Sequence, residues 1–312
     1  MRRIMSAGPS GVLNEIDMGR AHYTAGMDSD RHPDAIARLI APGLALSGCL
    51  YASLWRDTLA AEPLTAEQRS SHFPATPYCG MTWVLEGDGV QLLDDGSERP
   101  LPGRALVGGP RSRPAQFRSD AGTRCFMVAW LPEALHALTG VDLASLVDGC
   151  EPIESVLGPE WQALNDALLA APDEHACQAR LEAFLLPRWR ALAQAQAAPP
   201  RRYRDWMENL ALKAVAGGHG ESLRQVERRI KRWSGQSLRA LRSISRAESA
   251  FHQARGDLEA GAVLWSALAQ DAGYADQAHL CREIRRVCGF SPEELRRRIF
   301  SHEAFWAYRV WV

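Results

Sequence analysis

The sequence predicts an α+β protein, with antiparallel β-structure in front and an all-helical rear part, on three observations. Short apolar runs separated by turn signals fill the chain as far as Trp130, whereas after Leu131-Pro132 apolar residues recur every three or four positions. Charge divides in the same sense. From Arg201 onward there are 20 Lys+Arg against 13 Asp+Glu, and before it 16 against 24, although the whole chain carries only −1. A basic rear part suits a polyanion and an acidic front part does not. With 312 residues, 46% of them hydrophobic, there is material for two packed cores.

Residues 1–30 carry Gly, Ser, Pro and charge without period and are expected to be weakly ordered. From Leu44 to Trp55, L-A-L-S-G-C-L-Y-A-S-L-W alternates large and small side chains as a half-buried strand does. Further strands are expected at Met81 to Leu85, Val90 to Leu93, Ala105 to Val107, Ala115 to Arg118 and Arg124 to Trp130. The G-D-G, D-D-G, P-G, G-G-P and D-A-G signals between them suit a small antiparallel barrel or sandwich. Behind it, Trp161, Leu164 and Leu168 form one helical stripe. Leu181, Phe184, Leu185 and Leu192 form another, in which Pro187 should start a new helix or kink the old one. The Ala/Gln/Pro stretch A-L-A-Q-A-Q-A-A-P-P-R-R reads as a linker that divides 31–198 from 199–312.

Beyond the linker, Trp206, Leu210, Leu212 and Val215 suggest a helix that ends at G-G-H-G. The segment from Ser222 to Gly235 then puts Leu223, Val226, Ile230 and Trp233 on one stripe and Arg224, Gln225, Arg228, Arg229, Lys231 and Arg232 on the other sides. A G-Q-S turn leads into a long helix, about Leu238 to Arg255. Trp265, Leu268, Ala269 and Ala272 follow at helical spacing, and Leu280, Ile284 and Val287 repeat it after a break at Gly273. Gly273 can take the positive φ that ends the first of these helices, and Asp276 is placed to cap the second. This is a helix-turn-helix pattern. Its second helix turns Gln277, Ala278, His279, Arg282, Arg285 and Arg286 outward, a set of amide and guanidinium groups that suits base edges and phosphates in a major groove. A solvated basic helix is the alternative. Ser291-Pro292-Glu293-Glu294 signals a further helix start, and the aromatic tail with Phe305, Trp306, Tyr308 and Trp311 is expected to pack back on a domain.

The run G-Y-A-D-Q-A-H-L-C-R-E-I-R-R, followed by C-G-F-S-P-E-E-L, resembles the second helix-turn-helix of the AraC/XylS-type transcription regulators. Their signature carries G-[FY]-x-D-Q-x-[HY]-[FL]-x-R and a closing G-x-[ST]-P-x-x-[FLY] turn. About thirty residues match with every spacing kept. The Ser222–Gly235 segment resembles the recognition helix of the first motif in that family. Family members place two short helices ahead of it, and the pattern from Tyr203 to Gly220 holds one. The resemblance implies a sequence-specific regulator that binds double-stranded DNA through two helix-turn-helix units, their recognition helices about 34 Å apart on the duplex. It implies DNA contacts at Arg224, Gln225, Arg228, Arg229 and Arg232, and at Gln277, His279, Arg282, Arg285 and Arg286. For the front part it implies a cupin-like β-barrel that binds a small-molecule effector or mediates dimerisation. The V-G-G-P-R-S-R-P run from Val107 to Pro114 is similar to a Gly-Pro turn of some sensor domains of this kind. A homodimer and RNA polymerase stay open as partners, and no cofactor is expected.

Two other classes stand beside this one. A metal-dependent cupin enzyme needs several histidines on neighbouring strands, and of the nine histidines only His72 falls in the strand region. No G-x-S-x-G elbow, P-loop or Rossmann glycine run is present, so the expectation is that the protein is no enzyme. A protein-interaction adaptor would use the basic helices on an acidic partner, but has no need of two recognition-type helices. The seven cysteines are scattered without a C-x-x-C pair, which signals neither a disulfide framework nor zinc. Cys281 and Cys288, seven apart, are expected to be idle core thiols rather than a redox pair. Without a signal-peptide core or a run of about 18 apolar residues, a cytoplasmic protein with no membrane partner is expected.

Overall fold

The computed structural model describes residues 30–193 and 223–311. The start of the chain, the 198/199 boundary and the helix expected around Trp206 to Val215 lie outside the described residues.

Strands β1 (Ile36–Ile40), β2 (Leu50–Asp57), β3 (Ser70–Phe73), β4 (Cys79–Glu86), β5 (Gly89–Leu92), β6 (Glu98–Pro100), β7 (Ala105–Gly108), β8 (Ala115–Ser119), β9 (Arg124–Trp130) and β10 (Glu151–Pro152) form two sheets. One has the order β1-β2-β9-β4-β7-β10 and the other β3-β8-β5-β6, with every pairing antiparallel. Two antiparallel sheets fit the sandwich that the turn spacing suits, while the cupin-like barrel is not confirmed, since among the described residues no ladder joins the edges of the two sheets. The short strands explain this. β6 has three residues, all exposed, and β10 has two, so neither edge can carry a closing ladder. The strand expected from Leu44 begins only at Leu50, because residues 44–46 form a 3-10 turn with Leu44 in solvent.

The core of the front part holds Trp83, Phe126 and Trp130, all fully buried. Helices α1 (Pro132–Thr139), α2 (Ile153–Val156), α3 (Gln162–Leu169) and α4 (Glu174–Ala193) cover it. Trp83 donates its indole N–H to Oδ1 of the buried Asn165 at 2.9 Å, which ties β4 to α3. Pro187 neither starts nor breaks a helix, since α4 runs through it. Leu181, Leu185 and Trp189, one turn apart and buried, hold the helix down on both sides of the missing N–H.

The rear part is helical: α5 (Leu223–Ser234), α6 (Leu238–Gln253), α7 (Arg255–Ala260), α8 (Trp265–Asp271), α9 (Gln277–Cys288), α10 (Pro292–Ser301) and α11 (Trp306–Trp311). Ile244, Phe251, Leu268, Leu280, Ile284, Leu295 and Phe305 make its own core. α5 behaves differently. Its Ile230, with Leu241 of α6, is part of the front core, and Val226 and Trp233 pack against that core. The apolar stripe read from the sequence is there, but it faces α1 and the turn Leu143–Leu146. Phe305 and Tyr308 of the tail pack back into the rear core as expected, while Trp306 packs on the front sheets. Trp306 donates its indole N–H to Ser71 Oγ at 2.8 Å and shares a buried cluster with Leu54. No helix among the described residues is long and apolar enough to cross a membrane.

Candidate DNA-reading helices and the cavity behind them

α8 and α9 form the turn that the sequence predicts. Gly273 has φ 72° and its N–H bonds Gln270 O at 3.0 Å, while Tyr274 N–H reaches Ala269 O at 2.8 Å. Asp276 Oδ1 accepts from His279 N–H at 2.6 Å and caps α9. Leu280, Ile284 and Val287 are buried, against the small Ala269 where the helices cross.

On the outer side of α9, Gln277, Arg282 and Arg285 are exposed and make no hydrogen bond or ion pair among the described residues. His279 and Arg286 are engaged internally. His279 is half-buried, its Nδ1 accepts from Ala275 N–H at 3.3 Å, and its ring meets Tyr274 edge-on. Arg286 donates to Ser243 Oγ at 2.5 Å and to Glu283 at 3.3 Å, so it ties α9 to α6. On α5, Arg224, Arg228 and Arg232 are exposed one turn apart; Gln225 is exposed and Arg229 half-buried, and both take part in contacts within the protein. α6 joins the two sets and adds cations absent from the sequence expectation. Arg239 and Arg242 are exposed on it, and Arg246 lies over the Tyr274 ring at 5.4 Å, where it steadies the α8–α9 turn.

Behind these helices lies a cavity of about 350 Å³, lined by both sheets, by α6, by the end of α9 and by the tail. Its wall is mostly apolar, with Met81, Met127, Phe117, Ile244, Phe251 and Trp306 among its residues. Nothing local in the sequence marks it, because it is assembled from elements more than 200 positions apart. Several charges line it. Arg56 is buried, 5.2 Å from the Trp306 ring, and pairs with buried Glu303 at 2.8 Å; Arg309 meets the same carboxylate at 3.1 Å. Arg118 pairs with Glu98 at 2.7 Å, and Arg69 donates to the Ser119 carbonyl at 3.2 Å. Glu248 accepts from Tyr51 O–H at 3.3 Å, and Tyr51 stacks on Tyr78 at 4.1 Å. Burial pushes the Glu248 carboxyl up to about 7.

Residues of the cavity rim hold the α5–α6 turn and the end of α9. Gln236, in the turn between α5 and α6, donates its Nε2 to the carbonyls of Thr76 and Arg111, each at 3.0 Å, and those two residues bridge each other through backbone hydrogen bonds. One residue earlier, Ala75 N–H bonds Val287 O of α9 at 2.7 Å. Gly235 has φ 71°, and a Cβ there would stand 3.0 Å from the Val147 side chain, so both conformation and space demand glycine.

His72, the histidine of the strand region, stacks on Phe305 at 4.6 Å and meets Phe290 edge-on. Burial, and then the nearby Arg298, lower its pKa to about 4, which keeps the ring neutral. Among the described residues no three His, Cys, Asp or Glu side chains gather as a metal site. The cysteines are free, and burial pushes the Cys288 thiol up to about 12.

No protein-family model and no curated protein matches the chain. Solved structures similar to it include ToxT from Vibrio cholerae O395, at 10% identity and TM-score 0.34 over 73% of this chain and 92% of that one. An unsaturated fatty acid-bound ToxT from Vibrio cholerae strain SCE256 follows at 8% and 0.33, over 74% and 95%. The AraC-like transcriptional activator CuxR is similar at 10% and 0.18, over 89% and 90%. These neighbours are regulators of the type that the Gly273–Arg282 motif resembles. At TM-scores below 0.5, such likeness carries no weight beside the chain's own residues.

Proposed function

We propose that the protein is a sequence-specific DNA-binding transcription regulator of the AraC type. One observation carries this reading: the α8–α9 turn is built and capped as a helix-turn-helix, and its outer side offers Gln277, Arg282 and Arg285 free of partners among the described residues. Such a helix reads base edges by amide and guanidinium hydrogen bonds while neighbouring cations neutralise phosphates. The exposed arginines of α5 form a second candidate reader, and Arg239 and Arg242 on the connecting helix lie between the two. The cavity is the candidate effector site, because an occupant would touch the sheets, α6 and the end of α9 at once. No catalytic step belongs to this function.

Selection of bound duplexes from random DNA by the purified full chain tests the proposal. A recovered motif with strongly salt-dependent affinity is expected, each neutralised phosphate adding about −0.9 to the log–log slope. Recovery of no motif, or a slope near zero, overturns it and favours the adaptor reading.

A further inference from the structure

The cavity holds a carboxyl group that the described residues leave without a counter-charge. Arg56 is matched by Glu303 and Arg118 by Glu98, and Arg69 is held by backbone carbonyls. Glu248 projects from the middle of α6 into an apolar space between Ile244 and Phe251, one turn to either side. Its one hydrogen-bond donor among the described residues is the Tyr51 phenol, and no cation stands within 4.0 Å of it. A carboxyl in such a site costs stability unless a partner meets it. Nothing in the packing of α6 needs an acid there, because its neighbours Ile244, Ala247 and Phe251 fill the inner face with apolar groups.

We propose that the cavity takes an apolar ligand carrying a protonated amine, with the ammonium group paired to Glu248. The pairing forms a charge-assisted hydrogen bond against a mostly apolar wall, where such a bond is stronger than at a surface. The hydrocarbon part lies against Met81, Met127 and Phe117 of the sheets. A cavity of this size sits at the lower end of small-ligand sites, which suits a single chain or ring system. The carboxyl group, raised toward neutral pH by burial, ionises fully once the cation arrives. Arg111 makes the competing case. Its guanidinium also lines the cavity and lies over the Phe117 ring at 5.2 Å, and it would attract an anionic headgroup instead. Burial lowers the Arg111 pKa, and Cys150 and Asp148 oppose that shift, so unlike Glu248 it has an acid nearby that favours its charged form.

The inference rests on the effector reading of the cavity, but its test does not depend on DNA. Calorimetric titration of the full chain with octylamine, octanoate and 1-octanol at pH 7.5 compares three headgroups on one tail. Octylamine should bind tightest, and Glu248→Gln should weaken it at least ~10-fold while leaving 1-octanol within ~2-fold. Thermal unfolding of the variant, expected at or above the parent temperature, shows that the fold is kept. Octanoate binding tightest and lost in Arg111→Met would overturn the proposal in favour of an anion site. Octylamine binding unchanged by Glu248→Gln, or no binding by any of the three, overturns it as well. DNA selection on the ligand-free chain stands apart from all these outcomes and fails only if the regulator reading itself is wrong.

Discussion

Glu303 meets two arginines at once, Arg56 from β2 and Arg309 from α11, and its side chain is only 2% exposed. Removing one member of a buried ionic group leaves the others charged without compensation, at a cost of about 3–5 kcal/mol. Glu303→Ala should therefore lower the unfolding free energy by that amount in a urea titration. The joint replacement Arg56→Met with Glu303→Leu should recover part of the loss, because an apolar pair needs no counter-charge. No reading of one sequence could find this group, since Arg56 stands almost the whole described chain away from Glu303 and Arg309 and each looks like an ordinary surface charge. Glu248 was invisible for the same reason. In a helical pattern an acid beside Ser249 and Arg246 belongs to the solvated side, and only the sheets packed over it make it interior.

At the scale of elements, α8 and α9 were legible because everything that specifies them is local. Turn glycine, capping aspartate and apolar period lie within about 25 residues of one another. The strands that the sequence missed, β1, β3, β6 and β10, are partly or fully exposed and show no clean alternation of apolar and polar residues. α5 was legible as an amphipathic helix but its partner was not, since period alone gives a face and never says what covers it. Turn spacing left barrel and sandwich open, because whether edges join depends on edge length, which composition does not encode. Within α9 the internal contacts separate roles that spacing alone had grouped together. Arg282→Ala should cost roughly 1–3 kcal/mol on the selected DNA site and less on random DNA, the mark of a base reader. Arg286→Ala should instead loosen α9 from α6, reducing thermal stability and weakening both DNAs alike. Fluorescence anisotropy on the two duplexes, with a melting curve for each variant, separates the cases; equal DNA losses for both with unchanged stability would place both residues on phosphates.

For the whole molecule, the front and rear parts share more than a seam. Ile230 and Leu241 complete the front core, Trp306 and Glu303 are buried against its strands, and the cavity takes walls from both parts. The segment from Ala75 to Thr76 belongs to the front part, yet it bonds the end of α9 through Ala75 and the α5–α6 turn through Thr76. Two candidate readers of the same duplex are thus hinged on adjacent residues of one loop. A hinge of that kind fixes how far apart two words must stand and leaves their spelling alone. Gln236→Ala, which frees one of the two, should widen the range of gaps accepted between half-sites in a selection from random DNA while the bases chosen within each half-site stay the same. Ala75 and Thr76 also line the cavity. Under the proposed function an effector seated there would therefore touch the loop that spaces the two readers, act on the tolerated gap, and sort the genes under this protein by the spacing of their operators before the letters in them.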